Sequence, residues 1–99
     1  MTLAEITKMF DDHAHKVPST GKTMKLVLDD GVVFIDMTGE SATVSNEDQE
    51  ADCTITTKIE TLEALRQGEL NPMMAVMGGK IKIKGDMGLA MQLQSLLTD

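Results

Sequence analysis

Apolar positions recur along this chain with two periods, and the switches between them mark out helices and strands. Leu3, Ile6 and Phe10 fall at helical spacing with Met9 beside them, and Val17 continues the stripe. This predicts a helix over 2–17, ended by Pro18-Ser19-Thr20-Gly21. Strand-like alternation follows over 22–29 and 32–38, joined by Asp30-Gly31, a strong two-residue hairpin signal. That turn predicts Val27 opposite Phe34 and Lys25 opposite Asp36 on one face, partly solvated. The other face pairs Leu28 with Val33, Leu26 with Ile35 and Met24 with Met37. It is wholly apolar and must meet helices.

Short strands are predicted over 42–45 and 52–57, the latter turning Cys53 and Ile55 to one side. Thr57 and Glu60 form a capping-box pattern for a helix that carries Ile59, Leu62 and Leu65 and stops at Gly68. Asn71-Pro72 opens a second, short helix ending at Gly78-Gly79. Residues 80–84 alternate strictly, with Ile81 and Ile83 inward and Lys80, Lys82 and Lys84 outward. Lysines in that pattern suit a sheet edge, where they discourage pairing with another chain, and contact with a phosphate-bearing head group is the second reading. Asp86 caps a closing helix whose apolar residues, from Met87 and Leu89 through Leu97, sweep most of the circumference. Such a helix needs apolar partners on more than one side, either a packed core or a bound lipid. Gln94 lies inside its apolar arc, where the amide either bonds locally or anchors a polar atom of a ligand.

Composition narrows the function. With 99 residues the expectation is one domain over 1–99, burying roughly 60–65% of the unfolded surface. A net charge of −7 and the absence of Trp and Tyr argue against nucleic acid and against firm docking on anionic membranes. Nothing near Met1 reads as a secretory signal, no apolar run approaches the ~20 residues of a membrane span, and Leu97-Thr98-Asp99 is not a peroxisomal tripeptide. Together with the single Cys53, these features make a cytoplasmic location the expectation. Cys53 has no basic neighbour in sequence and reads as a buried, inert thiol. His13 and His15 stand on different sides of a helix, and the acidic loop 46–50 lacks calcium-ligand spacing, so no metal is expected. Gly78-Gly79 precedes a strand and is no phosphate loop, and no nucleophile–His–acid set is evident. Neither catalytic residues nor cofactors are assigned, and the chain is expected not to be an enzyme. Nine methionines are the opposite bias, since Met fills irregular space and adapts to varied ligands.

Three stretches resemble the sterol carrier protein 2 family of non-specific lipid-transfer domains. They are Gly39-Glu40 followed by Asp52-Cys53-Thr54-Ile55-Thr56, then 68–75 (GELNPMMA), and then 79–91 (GKIKIKGDMGLAM). The resemblance covers nearly the whole chain. It implies an α/β fold of the α+β type, with a five-stranded, mainly antiparallel sheet and helices on one face enclosing a hydrophobic tunnel. It further implies binding and carriage of fatty acids, fatty acyl-CoA, sterol-like molecules or phospholipids. Met73, Met74 and Met77, with Met87, Ala90, Met91 and Gln94, match family positions near the tunnel and its closing helix. Phe34, Ile55, Leu65 and Ile83 complete the candidate ligand-binding set. Tyr and Trp are absent, so the aromatic position of the second strand falls in Val33-Phe34-Ile35. The first helix carries Glu5, Asp11 and Asp12 against Lys8 and Lys16, which argues for transient membrane contact at most. The expected partners are a long-chain lipid or acyl-CoA and an enzyme of lipid metabolism, with the chain a monomer or weak homodimer. The alternative is a protein-interaction or homodimerisation module that uses the apolar closing helix.

Overall fold

The computed structural model describes residues 2–14 and 21–91. Element order is α1 (Leu3–Asp12), β1 (Thr23–Leu28), β2 (Gly31–Asp36), β3 (Thr43–Ser45), β4 (Cys53–Thr56), α2 (Ile59–Arg66), α3 (Pro72–Met77) and β5 (Lys82–Gly85). The closing helix is described over 87–91. The five strands form one mixed sheet in the order β3-β2-β1-β4-β5. Three of its pairings are antiparallel, and β1 with β4 is parallel.

Helix α1 starts on a full capping box: the Thr2 hydroxyl accepts from Glu5 N at 3.2 Å, and the Glu5 carboxylate accepts from Thr2 N at 3.0 Å. It ends at Asp12, short of the expected Val17. His13 is its C-cap, with its backbone N–H donating to both Met9 O and Phe10 O. Ile6 and Phe10 are its buried stripe.

The hairpin register differs from the expectation by two residues. The loop is Asp29-Asp30, and the pairs are Leu28 with Gly31, Leu26 with Val33, Met24 with Ile35 and Lys25 with Phe34. A turn centred on Asp30-Gly31 needs positive φ at both positions. Here Gly31 alone takes it, at 145°, as a paired strand residue. A Cβ there would stand 2.6 Å from Leu3 Cδ2, the movable end of a side chain, which shows that α1 packs directly over the strand backbone. A shift of two leaves every side chain on its original face. The apolar face therefore stands as expected, with Met24, Leu26, Leu28, Val33, Ile35 and Met37 all buried in the core. The expected Lys25–Asp36 pair is absent. Lys25 bridges to Asp48 at 3.0 Å, and Asp36 accepts from Thr38 N at 2.9 Å.

The capping box expected for α2 is not made. Its N-cap is Lys58, without a side-chain bond, and the first-turn amide of Ile59 donates to Asp29 Oδ1 at 3.0 Å instead. Thr57 is thereby free to bond elsewhere: its hydroxyl donates to Lys80 O at 2.9 Å. Helix α3 forms as the sequence predicts, with the Asn71 side chain accepting from Met73 N at 2.9 Å and Pro72 at the first helical position. No helix among the described residues is long and apolar enough to cross a membrane.

Candidate functional site

The end of β4, the helices α2 and α3, strand β5 and the closing helix surround an apolar cavity of about 370 Å³. Each wall follows from local chemistry. Ile55 and Ile83 are directly paired across β4 and β5 and supply the floor, with Ile81 just before β5. Leu62 and Leu65 line it from α2 at a spacing of three. Helix α3 is pinned by Ala75, which is fully buried and whose carbonyl accepts from Lys80 N at 2.9 Å and Ile81 N at 3.2 Å. That anchor turns Pro72, Met73, Val76 and Met77 toward the space and its rim.

Asp86 sets the closing helix. Its backbone N–H donates to Asp52 O at 3.1 Å, its Oδ1 accepts from Gly88 N at 2.9 Å, and its Oδ2 is paired with Lys22. The Lys22 hydrogen bond holds the Asp86 carboxyl below its ordinary value and raises the Lys22 ammonium above its own. From that fixed start Met87, Ala90 and Met91 form the last wall.

No charged side chain lines the cavity, and Thr57, 6% exposed, is the one polar residue on its wall among the described residues. All the described lining residues fall between 55 and 91. Met73, Met77 and Met91 are 69%, 81% and 70% exposed, so the apolar space opens at a methionine rim where a tunnel was expected. Met24 and Met37, by contrast, are fully buried and fill the core.

Of the candidate positions, Ile55, Leu65, Met73, Met77, Ile83, Met87, Ala90 and Met91 are brought together around this cavity. Met74 is exposed and does not line it. Phe34 is on the opposite face of the sheet, paired with Lys25 and Ser45, which removes it from the site. Gln94 lies outside the described residues. The sequence reading missed Thr57, Leu62, Pro72, Val76 and Ile81. Ile81 and Leu62 carried a usable signal, since both sat on inward faces. Thr57 did not, because its role depends on the bond to Lys80.

Cys53 is buried in the core, and burial, followed by the Asp86 charge, raises its thiol pKa, which keeps it in the unreactive form. No group of three His, Cys, Asp or Glu suited to a metal occurs among the described residues.

Known proteins share both the sequence pattern and this architecture. Sterol carrier protein 2 of Bos taurus is 50% identical over 58 residues, which cover 59% of this chain and 11% of that protein. The sterol carrier protein domain 2 of Helicoverpa armigera superposes with a TM-score of 0.71 at 26% identity, covering 94% of this chain and 83% of that one. The fold is also that of palmitated SCP2L2 from Aedes aegypti, with a TM-score of 0.70, 21% identity and coverage of 100% and 96%. The model of the SCP-2 sterol transfer family matches residues 10–98, and this chain belongs to that family.

Proposed function

We propose that this domain binds and carries long-chain lipids, holding the hydrocarbon in the cavity between β4, β5 and the three C-terminal helical segments, and performs no chemistry on them. The observation that carries the reading is the wall itself, a space of about 370 Å³ lined, among the described residues, by aliphatic and thioether side chains with a single hydroxyl. That volume lies in the roughly 300–1,000 Å³ range of small-molecule sites. A dozen methylenes transferred into it contribute about 10 kcal/mol gross at ~0.8 kcal/mol each. Association and chain ordering offset several of these, which leaves micromolar or tighter binding. With no charged side chain among the described lining residues, the polar end of a fatty acid, acyl-CoA, sterol or phospholipid stays at the rim. Selectivity among chains is low because methionine walls repack and one methylene changes little. Membership of a sterol-transfer family and the palmitated state of the Aedes aegypti relative support this reading.

Mass spectrometry of lipid released from freshly purified, denatured protein tests it directly. A copurified lipid, with saturable binding of a fluorescent fatty acid that palmitate displaces, is the expected result. Absence of both sinks the proposal. The exposure of Met73, Met74 and Met77 favours a second reading, a homodimer seam over the methionine rim. Sedimentation before and after delipidation separates the two: the seam gives a concentration-dependent dimer, and a lipid carrier stays monomeric when loaded.

A further inference from the structure

We infer that the methionine rim of the cavity is an oxidation site, at which a peroxide converts thioethers to sulfoxides and thereby expels the bound lipid. This rests on the lipid-carrier reading and adds a means of regulating it. Met73 and Met77 stand four residues apart on α3, and Met87 and Met91 four apart on the closing helix. Two walls of one cavity therefore each present a pair of thioethers. Met87 is 57% exposed and the other three more so, which lets solvent reach the side chains that a guest must touch.

The other described sulfur atoms are sheltered or stand off the site. Met24, Met37 and Cys53 are fully buried in the core, Met9 is half-buried, and Met74 is exposed but does not line the cavity. An oxidant arriving from water therefore meets the rim before the core. In the reaction a thioether sulfur donates its lone pair to one oxygen of hydrogen peroxide. The S–O bond forms as the O–O bond breaks, and the departing hydroxide takes the transferred proton and leaves as water. Sulfur loses the two electrons that the peroxide gains. The product is polar and chiral where the thioether was apolar and flexible. Its oxygen is an acceptor, and the Thr57 hydroxyl, the one polar side chain on the described wall, already donates to Lys80 O. The sulfoxide thus keeps its water and denies that surface to a hydrocarbon chain. Because the rim is open to solvent, the fold itself loses little. An aliphatic rim would pack a chain as well but would have no such chemistry.

The test treats the protein with hydrogen peroxide, maps the oxidised methionines by peptide mass spectrometry, and titrates a fluorescent fatty acid before and after. Met73, Met77, Met87 and Met91 are expected to oxidise while Met24 and Met37 stay reduced. The dissociation constant then rises about 30-fold or more, with the melting temperature nearly unchanged. Methionine sulfoxide reductases, which act on both sulfoxide epimers, restore the affinity. In M73L/M77L/M87L/M91L the affinity stays within about fivefold of wild type, because Leu conserves apolar volume, and peroxide no longer changes it although Met74 still oxidises. Affinity that survives oxidation of the four rim sulfurs overturns the inference. So does a peroxide effect that persists in the leucine variant, or a loss with melting that the reductases fail to reverse, since either places the sensitive group outside the rim. An untreated protein that binds no fatty acid fails the lipid-carrier reading and this inference with it, a result distinct from binding that outlasts oxidation.

Discussion

Substituting Met77 by Asp separates binding from folding. Met77 is the last residue of α3, lines the cavity and is 81% exposed, so its side chain contributes little to the protein's own packing. Changes at such positions usually stay within about 0.5 kcal/mol of wild-type stability. A carboxylate at the end of a short helix adds at most a small dipole penalty. In a domain of this size the melting temperature then moves by no more than ~4 °C. The effect on a bound chain is larger. A carboxylate retains its water and denies the rim to about three methylenes, a loss of roughly 2–3 kcal/mol at ~0.8 kcal/mol each. The dissociation constant for a fluorescent fatty acid therefore rises by about 30- to 150-fold. Met77→Leu, which keeps the apolar surface, stays within about twofold of wild type. Titration of the probe, paired with thermal melts followed by circular dichroism, reads both quantities. Unchanged affinity in Met77→Asp refutes the placement of the chain. A large drop in melting temperature in both variants shows instead that Met77 belongs to the core.

Other consequences are equally direct. Gly85→Ala places a Cβ 2.2 Å from Asp52 O at a residue whose φ is 103°, so urea unfolding should show a loss of about 3 kcal/mol or more. Thr57→Val keeps the shape but leaves the Lys80 carbonyl without its donor, and should cost about 1–2 kcal/mol in the same assay. The Lys22–Asp86 pair adds a pH dependence. Asp86 is held below its ordinary value of 3.8, so its contribution is present above that pH and disappears as pH falls through the lower folded value. Lys22 is raised above 10.5, so its contribution is present below that pH and disappears as pH rises through the higher folded value. Asp86→Asn should keep the cap to Gly88 yet flatten the acid limb of the stability profile, measured as melting temperature against pH.

What could be read from the residues depended on whether local chemistry decided the outcome. Asn71-Pro72 opens α3 because its cap bonds lie within three residues. The lysine-striped strand lies at the sheet edge because no internal strand tolerates that pattern. Alternation carried the hairpin's faces, but its register turned on Gly31 being a paired strand residue after an Asp29-Asp30 loop, which the Asp30-Gly31 signal did not distinguish. The parallel pairing of β1 with β4 joins Met24 to Cys53 across 29 positions and left no local trace. The cavity methionines were legible because they crowd two short stretches that cannot all be core. Phe34 was misplaced against the alternation, which puts it on Lys25's side of the sheet. Thr57 offered a capping pattern that α2 does not use, since Asp29 accepts from the Ile59 amide at the helix start and the Thr57 hydroxyl donates to Lys80 O.

Because every described wall of the cavity comes from residues 55–91, the chain divides its labour along its length. Helix α1, β1 and β2 supply none of the cavity's described lining, so on the lipid-carrier reading a guest contacts only the later segments. Amide hydrogen exchange would register this as slowing on lipid addition that is concentrated beyond residue 55, with the central hairpin already slow in the empty protein.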